Sequence, residues 1–260
     1  YKNLEHLRDR LNRIQLRRLK TDVVDLPPKV HKVEYVELDD KCNNLYYDIR
    51  ESLISEINDI SIHPNPLASL IRLRQVTGYP LIFGNEFGYG AKLERLKEIV
   101  DELQQQNYKT IIFSNWSQVI DGIEELLAEY KSGKITGNVN ENLRMEAVNQ
   151  FQKGDSNIIM GTIGAMGTGL TLNKAEYVIF VDEPWTSSNK LQAEDRAHRI
   201  GTKNTVNVIT LIAKYTIDEK IHQIVYSKKA VGDYLVDGIE NIKEKNPKHY
   251  LHELLGLVGE

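Results

Sequence analysis

From Lys92 onward apolar and polar positions follow an orderly alternation of helix-like and strand-like segments. The helical segment "KLERLKEIVDELQQQ" precedes the apolar run "KTIIF", and "QVIDGIEELLAEY" precedes a short strand around Lys134 and Ile135. Then come helix "ENLRMEAVNQFQK", strands "NIIMG" and "YVIFVD", helix "KLQAEDRAHRI", strand "VNVITLIA" and helix "IDEKIHQIVYSKKA". This order predicts an α/β layer around a mainly parallel sheet. The strands are apolar nearly throughout, so helices should cover both faces.

Before Lys92 the pattern is mostly helical. One extended piece, "KVHKVEYVELD", follows Pro27 and Pro28, which stop whatever helix precedes them, and its alternation of valine and tyrosine with charge suits a half-buried strand. A helix from Asn43 to about Ile60 ends in "SIHPNP", and "LASLIRLRQVTG" runs to Gly78, before a glycine-rich hinge "NEFGYG". The expected organisation is therefore a helical linker and protrusion over residues 1–90, an α/β lobe over 91–232 and a peripheral helical tail over 233–260. Leu4, Leu7, Leu11, Ile14 and Leu19 stand at helix-like spacing with no cap before them, the pattern of a fragment of a longer protein.

Composition narrows the functional classes. With 260 residues, 41% of them hydrophobic, the chain can bury a real core. A net charge of −4 predicts no overall polyanion-binding surface, so any nucleic-acid footprint is local. The lone Cys42 excludes an internal disulfide framework and a cysteine-rich zinc site, and fits a reducing compartment. No run of about 18 apolar residues and no signal peptide are found, which predicts a cytoplasmic protein.

The candidate chemistry begins with "KLQAEDRAHRIGT". On a helix Gln192, Arg196 and Arg199 share a sector roughly 60° wide, beside an apolar strip of Ala193, Ala197 and Ile200 that can face a sheet. Two guanidiniums beside an amide suit a phosphate chain, because arginine is always charged and binds oxyanions in a planar fork. A solvated helix in which Glu194 and Asp195 screen the arginines fits the spacing equally well. Upstream, Gly161, Gly164, Gly167 and Gly169 follow directly on "NIIM"; glycines there let backbone N–H groups approach phosphates, or else serve only tight turns. The chain contains neither a G-x-x-x-x-G-K-[ST] loop nor a G-x-G-x-x-G dinucleotide fingerprint, and Asp182-Glu183 is the nearest thing to a magnesium-binding pair.

The segments "LRRLKTDVVDLPPKVHKVEYVEL", "TIIFSNWSQVIDGIEELL" and "KITGNVNENLR" through "AKYTIDEKI", in that order, resemble the carboxyl-terminal half of the Swi/Snf-type ATP-dependent DNA translocases of helicase superfamily 2. The resemblance spans about Leu16 to Ile221 and implies a RecA-like second lobe. It implies that Ser114, Asn115 and Trp116 face the DNA backbone, that Gly137, Asn138 and Thr162 are further DNA contacts, and that Gly167, Thr168 and Gly169 form a nucleotide-facing turn. Gln192 would position the site, while Arg196 and Arg199 would reach the γ-phosphate from the second lobe. Its ATP and Mg2+ would be bound mainly by a first lobe outside this chain, its partner would be double-stranded DNA, and the helical protrusion would be a place for a protein partner.

The sequence departs from that family in two places. Gly161, Ile163 and Met166 make the glycine loop one residue longer than usual, and "GTKNT" replaces the usual Gly-Gln after the arginine helix. Other readings are a restriction-type translocase lobe, an RNA helicase lobe, or a non-catalytic module that only docks DNA or a partner. The basic run Arg8, Arg10, Arg13, Arg17, Arg18 and Lys20 suits a solvated connecting helix or a contact with DNA or nucleotide, and Trp185 suits packing as well as function. His249 and His252 lack a third zinc-like ligand. Location follows source, in the nucleoid region of a bacterium or in a nucleus.

Overall fold

The computed structural model describes residues 25–58, 66–167 and 169–226, together with Arg10 and Arg13, and for residues 56–58 and 66–69 the backbone alone. Thr168, most of the basic amino-terminal run and the histidines of the tail lie outside the described residues. Arg10 and Arg13 are exposed.

Six parallel strands form the sheet: β1 (Lys29–Val36), β2 (Thr110–Ser114), β3 (Ser132–Ile135), β4 (Ile158–Thr162), β5 (Tyr177–Phe180) and β6 (Val206–Ala213). Their spatial order is β1-β6-β5-β2-β4-β3. The helices are α1 (Asp40–Asn58), α2 (Pro66–Gly78), α3 (Ala91–Gln105), α4 (Ser117–Leu126), α5 (Glu141–Lys153), the single turn α6 (Ile163–Met166), α7 (Ser187–Ala197) and α8 over residues 217–226.

The central strands are apolar on both sides because both sides are covered. Leu93, Leu96 and Val100 of α3 and Val119, Ile120 and Ile123 of α4 pack over Ile112, Met160, Ile179 and Leu211. On the opposite face Phe151 of α5, Met166 of α6 and Ala193 and Ala197 of α7 close over Ile111, Phe113, Phe180 and Val208. Phe113 and Phe180 stack with ring centroids 5.4 Å apart. The small Ala193 and Ala197 let α7 lie close on the sheet, which later fixes where its arginines emerge.

The alternating piece after Pro27-Pro28 is indeed a strand, and its place is the sheet edge. β1 pairs with β6 in register Lys29↔Val206 through Val36↔Ala213, so residues far before the α/β region belong to its sheet. The helical pair α1 and α2 builds a third core, where Tyr46, Leu53, Leu70, Leu73 and Val76 close on Ile217, Ile221 and Val225 of α8. Tyr46 Oη accepts the Ile217 backbone N–H at 2.7 Å, and burial pushes its phenol well above the ordinary tyrosine range, against the opposing effect of that bond. The helical region is thus fastened to the lobe through the helix that follows β6.

Candidate functional site

In a parallel sheet with helical crossovers every strand ends at one edge, and here the predicted DNA-facing loops leave neighbouring strands there. Ser114 ends β2 and pairs in register with Thr162 at the end of β4, while Ile135 at the end of β3 pairs with Gly161. The loops bearing Ser114-Asn115-Trp116, Thr162 and Gly137-Asn138 therefore stand side by side.

Each loop is braced differently. Ser114 is fully buried, and its hydroxyl donates to Asp182 Oδ2 at 2.5 Å. The same carboxylate oxygen accepts the Asn115 backbone N–H at 2.9 Å, while Asn115 Nδ2 donates to the Glu183 carbonyl at 3.0 Å. Ser114 Oγ in turn accepts the Trp116 N–H at 3.1 Å. Ser114 thus faces the protein, and the half-buried Asn115 and Trp116 form the mouth of the loop. Exposed Gly137 and Asn138 are held from behind by Arg144, which donates to the carbonyls of Val139 at 2.8 Å, Thr136 at 2.9 Å and Gly137 at 3.3 Å. The helix after them, α5, is capped by Asn140, whose side chain accepts from Leu143 N at 3.0 Å. Thr162 takes the N-cap position of α6 with no side-chain cap bond.

The glycine loop combines packing with reach. A Cβ on Gly161 would run into the Ile135 carbonyl and Met166 Sδ, so that glycine serves the close approach of β4, β3 and α6. Gly169 has φ +75, in the left-handed region that disfavours L side chains, and a Cβ there would meet nothing within 4 Å.

From the carboxyl edge α7 runs back to the edge where β6 and β1 begin, and the arginines leave it there. The helix ends at Ala197, with His198 at φ −92, ψ 80. This corrects one expectation: Ile200 does not join Ala193 and Ala197 on the sheet but is 72% exposed, because the helical register stops before it. Arg196 is half-buried and donates from Nη1 to the Leu170 carbonyl at 3.2 Å and from Nη2 to the Gly167 carbonyl, leaving its buried Nε without a protein partner. Arg199 is exposed, and its Nη1 donates to Thr171 Oγ1 at 3.0 Å. Gln192, Arg196 and Arg199 line one open groove of about 610 Å³ with Leu26, Ser188, Leu191, Asp195 and Ile200. Gly167 adjoins it, since a Cβ there would stand 3.8 Å from Gln192 Oε1. Of the glycine turn assigned to the nucleotide, Gly167 therefore borders the arginine groove and Gly169 lies two residues on.

The electrostatics of the groove favour an anion. Burial and the nearby charge of Arg199 lower the Arg196 pKa, with Asp195 opposing them, yet guanidinium remains charged at neutral pH. A phosphate oxygen between the two cations would relieve their repulsion.

Of the two carboxylates offered as screens for the arginines, Asp195 stays in the groove beside Arg196, whereas Glu194 turns away from them. Its carboxylate meets Lys29 Nζ at 2.6 Å and His31 Nε2 at 3.1 Å, both on β1. Burial works to raise its pKa, but the hydrogen bond from His31 and the charge and hydrogen bond of Lys29 outweigh it and hold the carboxyl at about 2. A carboxyl lowered on folding stabilises the fold above its unfolded pKa, and that contribution disappears as pH falls through the folded value. Glu194→Gln should therefore cost roughly 3 kcal/mol near neutral pH. The gap to the wild type should close between about 4.5 and about 2, as urea midpoints across that pH range would show. A gap that stays constant with pH would contradict the assigned pairing.

Asp182 and Glu183 also separate, as adjacent strand-end residues do. Asp182 serves the Ser114 loop, whereas Glu183 meets Lys190 Nζ at 2.7 Å and His222 Nδ1 at 3.0 Å. Trp185 stacks on buried Arg74, whose Cζ lies 4.2 Å from the ring centroid. Asp182, Arg144, Glu194, Lys29 and His31 were not among the sequence-predicted site residues. Asp182 had a signal in its place at a strand end and Glu194 in its spacing from the arginines; the other three had none.

The comparisons bear on this geometry. Residues 91–201 match the model of the helicase conserved C-terminal domain, a span that contains every loop just described. An uncharacterised ATP-dependent helicase of Mycoplasma pneumoniae is 32% identical over 86% of the chain. The mouse SWI/SNF-related matrix-associated actin-dependent regulator of chromatin subfamily A member 1 is 29% identical over 99% of it. The SWI2/SNF2 ATPase core of Sulfolobus solfataricus, solved in complex with dsDNA, superposes with a TM-score of 0.65 at 26% identity over 87% of the chain. The chain is a carboxyl-terminal lobe of the Swi/Snf type of helicase. It spans only 22% and 26% of the length of the first two relatives and 50% of the Sulfolobus chain. The RecA-like fold expected from the resemblance is the observed one, and in this lobe the glycine loop and the arginine helix are joined by Arg196 itself.

Proposed function

We propose that this lobe is one half of an ATP-driven motor that moves along double-stranded DNA, with Arg199 and Arg196 closing on the γ-phosphate of ATP held mainly by a first lobe outside this chain. The observation that carries the reading is the groove in which Gln192, Arg196 and Arg199 stand together, open to solvent and bordered by the glycine loop. Residues 91–226, with β1 completing their sheet, are then the moving lobe, and the rest of 1–90 its connection and protrusion, where a protein partner could dock; the tail expected over 233–260 lies outside the described residues.

Among the described residues no group of three or more His, Cys, Asp and Glu side chains is arranged to hold a metal, and the sequence has no phosphate loop. The Mg2+ that such hydrolysis uses would be held with the phosphates by the first lobe, where it would neutralise developing charge. This chain's own part is positional and electrostatic. Arg199, exposed and lightly tethered, would offer its guanidinium to the transferring phosphoryl group when the lobes close. Arg196 would hold the glycine loop in place and keep a second positive charge behind it.

Gly137, Asn138, Thr162, Asn115 and Trp116 would meet one strand's phosphates from adjacent strand ends, with Ser114 acting through the loop it braces. Contacts to backbone alone would let the lobe step without reading bases. Working on duplex DNA, the protein would act in the nucleoid region of a bacterial cytoplasm or in a nucleus.

The test uses both forms of the protein. The 260-residue chain alone should hydrolyse no ATP with or without DNA, since it carries half a site, whereas the full-length protein should be stimulated by duplex DNA more than by RNA. DNA-stimulated hydrolysis by the isolated chain would overturn the half-site reading. Stronger stimulation by RNA would mark an RNA helicase, and no hydrolysis by the full-length protein would mark a docking module.

A further inference from the structure

The helix that carries the arginines is held by more than its two alanines. Its sheet-facing stripe also includes Lys190 and Glu194, two opposite charges four residues apart and both buried. At one end Lys190 reaches Glu183 at 2.7 Å and Thr210 Oγ1 at 3.0 Å. At the other end, two residues before Arg196, Glu194 takes Lys29 and His31. An ionised carboxylate can only accept, so His31 presents Nε2–H to it.

The segment leading into β1 touches the arginine end at further points. The Pro27 carbonyl stands 2.7 Å from His198 Nε2, and a carbonyl only accepts, so that nitrogen carries the proton. Leu26 forms part of the groove wall beside Leu191 and Ile200. The turn beyond α7 is closed by Thr202, whose Oγ1 accepts the Arg199 N–H at 3.0 Å and can donate to the Ala197 carbonyl at 2.7 Å. Pro27, Lys29 and His31 thus hold His198 and Glu194, and Leu26 shares the groove wall with Arg196 and Arg199.

We propose that Lys29 and His31 are positioning residues for the arginine groove: by clamping Glu194 while the Pro27 carbonyl holds His198, the strand-entry segment sets the direction in which Arg196 and Arg199 leave α7. The inference rests on the reading of that groove as the nucleotide-facing half-site. A reacting group displaced by about 1 Å loses up to about a hundredfold in rate, so a clamp at the helix end controls turnover without touching the nucleotide. Because the first lobe would hold most of the ATP, loosening the clamp should lower kcat while leaving KM for ATP and the affinity for DNA nearly unchanged.

The experiment is steady-state ATPase kinetics of the full-length protein with saturating duplex DNA, below the melting temperature of every variant. Lys29→Met with His31→Leu should lower kcat by about tenfold or more at unchanged KM, and Lys29→Arg should stay near wild type. Should the double variant not fold, Lys29→Met alone, which keeps the aliphatic stem, takes its place with the same expectation. Wild-type kcat without the clamp would overturn the proposal. So would a parallel fall of kcat, rising KM and weakened DNA binding, the sign of a general loss of structure. Arg199→Ala run alongside separates the two levels: full turnover in that variant defeats the reading of the groove itself, whereas loss there with no loss in the clamp variants defeats only the clamp.

Discussion

Arg199→Ala in the full-length protein should reduce DNA-stimulated ATP turnover by about two to three orders of magnitude with little change in DNA affinity. Arg199 is the better of the two arginines for this experiment because the fold asks so little of it. Its side chain makes one described bond, from Nη1 to Thr171 Oγ1, and its other bonds join its backbone N–H and carbonyl to Thr202 and survive substitution. Arg196 has a double duty, since its guanidinium also holds the carbonyls of Gly167 and Leu170. Its removal would loosen the glycine loop and confound any kinetic loss. A duplex-binding titration beside the turnover measurement separates chemistry from docking. Wild-type turnover in Arg199→Ala would return this helix to a surface element laced with salt bridges.

The second large effect is on stability. Lys92, at the start of α3, is 1% exposed, pairs with the buried carboxylate of Asp218 and donates to the Val181 carbonyl at 3.1 Å. Asp218 also accepts from Thr77 Oγ1 at 3.2 Å and from the Ala213 N–H at 3.3 Å. One ion pair therefore joins α3 to α8, and through Thr77 to α2. Lys92→Met fills nearly the same space but leaves the carboxylate buried with hydrogen bonds alone, and should cost about 3 to 5 kcal/mol. Urea unfolding of the chain at neutral pH measures it. Adding Asp218→Leu should recover most of the loss, because a buried pair replaced by apolar groups of similar volume is often nearly neutral. A loss well under about 1 kcal/mol in Lys92→Met would mean that water reaches the site.

Much of the lobe was legible from pattern alone. Strands covered on both faces must be apolar throughout, and each crossover must present one apolar stripe, so "KTIIF", "NIIMG" and "YVIFVD" could be read where they stand. β1 was legible as a strand but not as a member of this sheet, since its partner β6 begins 177 residues later at the register Lys29↔Val206. Ile200 was misplaced by extending the helical period past Ala197, where the chain stops turning. Ser114 could be placed at a strand end, but not seen to point inward at Asp182, which comes 68 residues later.

The sequence by itself determined the α/β layer, the glycine loop and the pairing of Arg196 with Arg199 near one helix end, because each depends on residues within a turn or a strand of one another. Only the tertiary structure decided which carboxylates neutralise which cations. Glu194 sits within two residues of Asp195 and Arg196 along the chain, yet its partners are Lys29 and His31, 165 and 163 residues away. Helical spacing offers a side chain several neighbours at equal distance, and what selects among them is burial: a carboxylate turned toward the sheet must find its cations there, so Glu194 pairs with β1 and not with the arginines of its own helix.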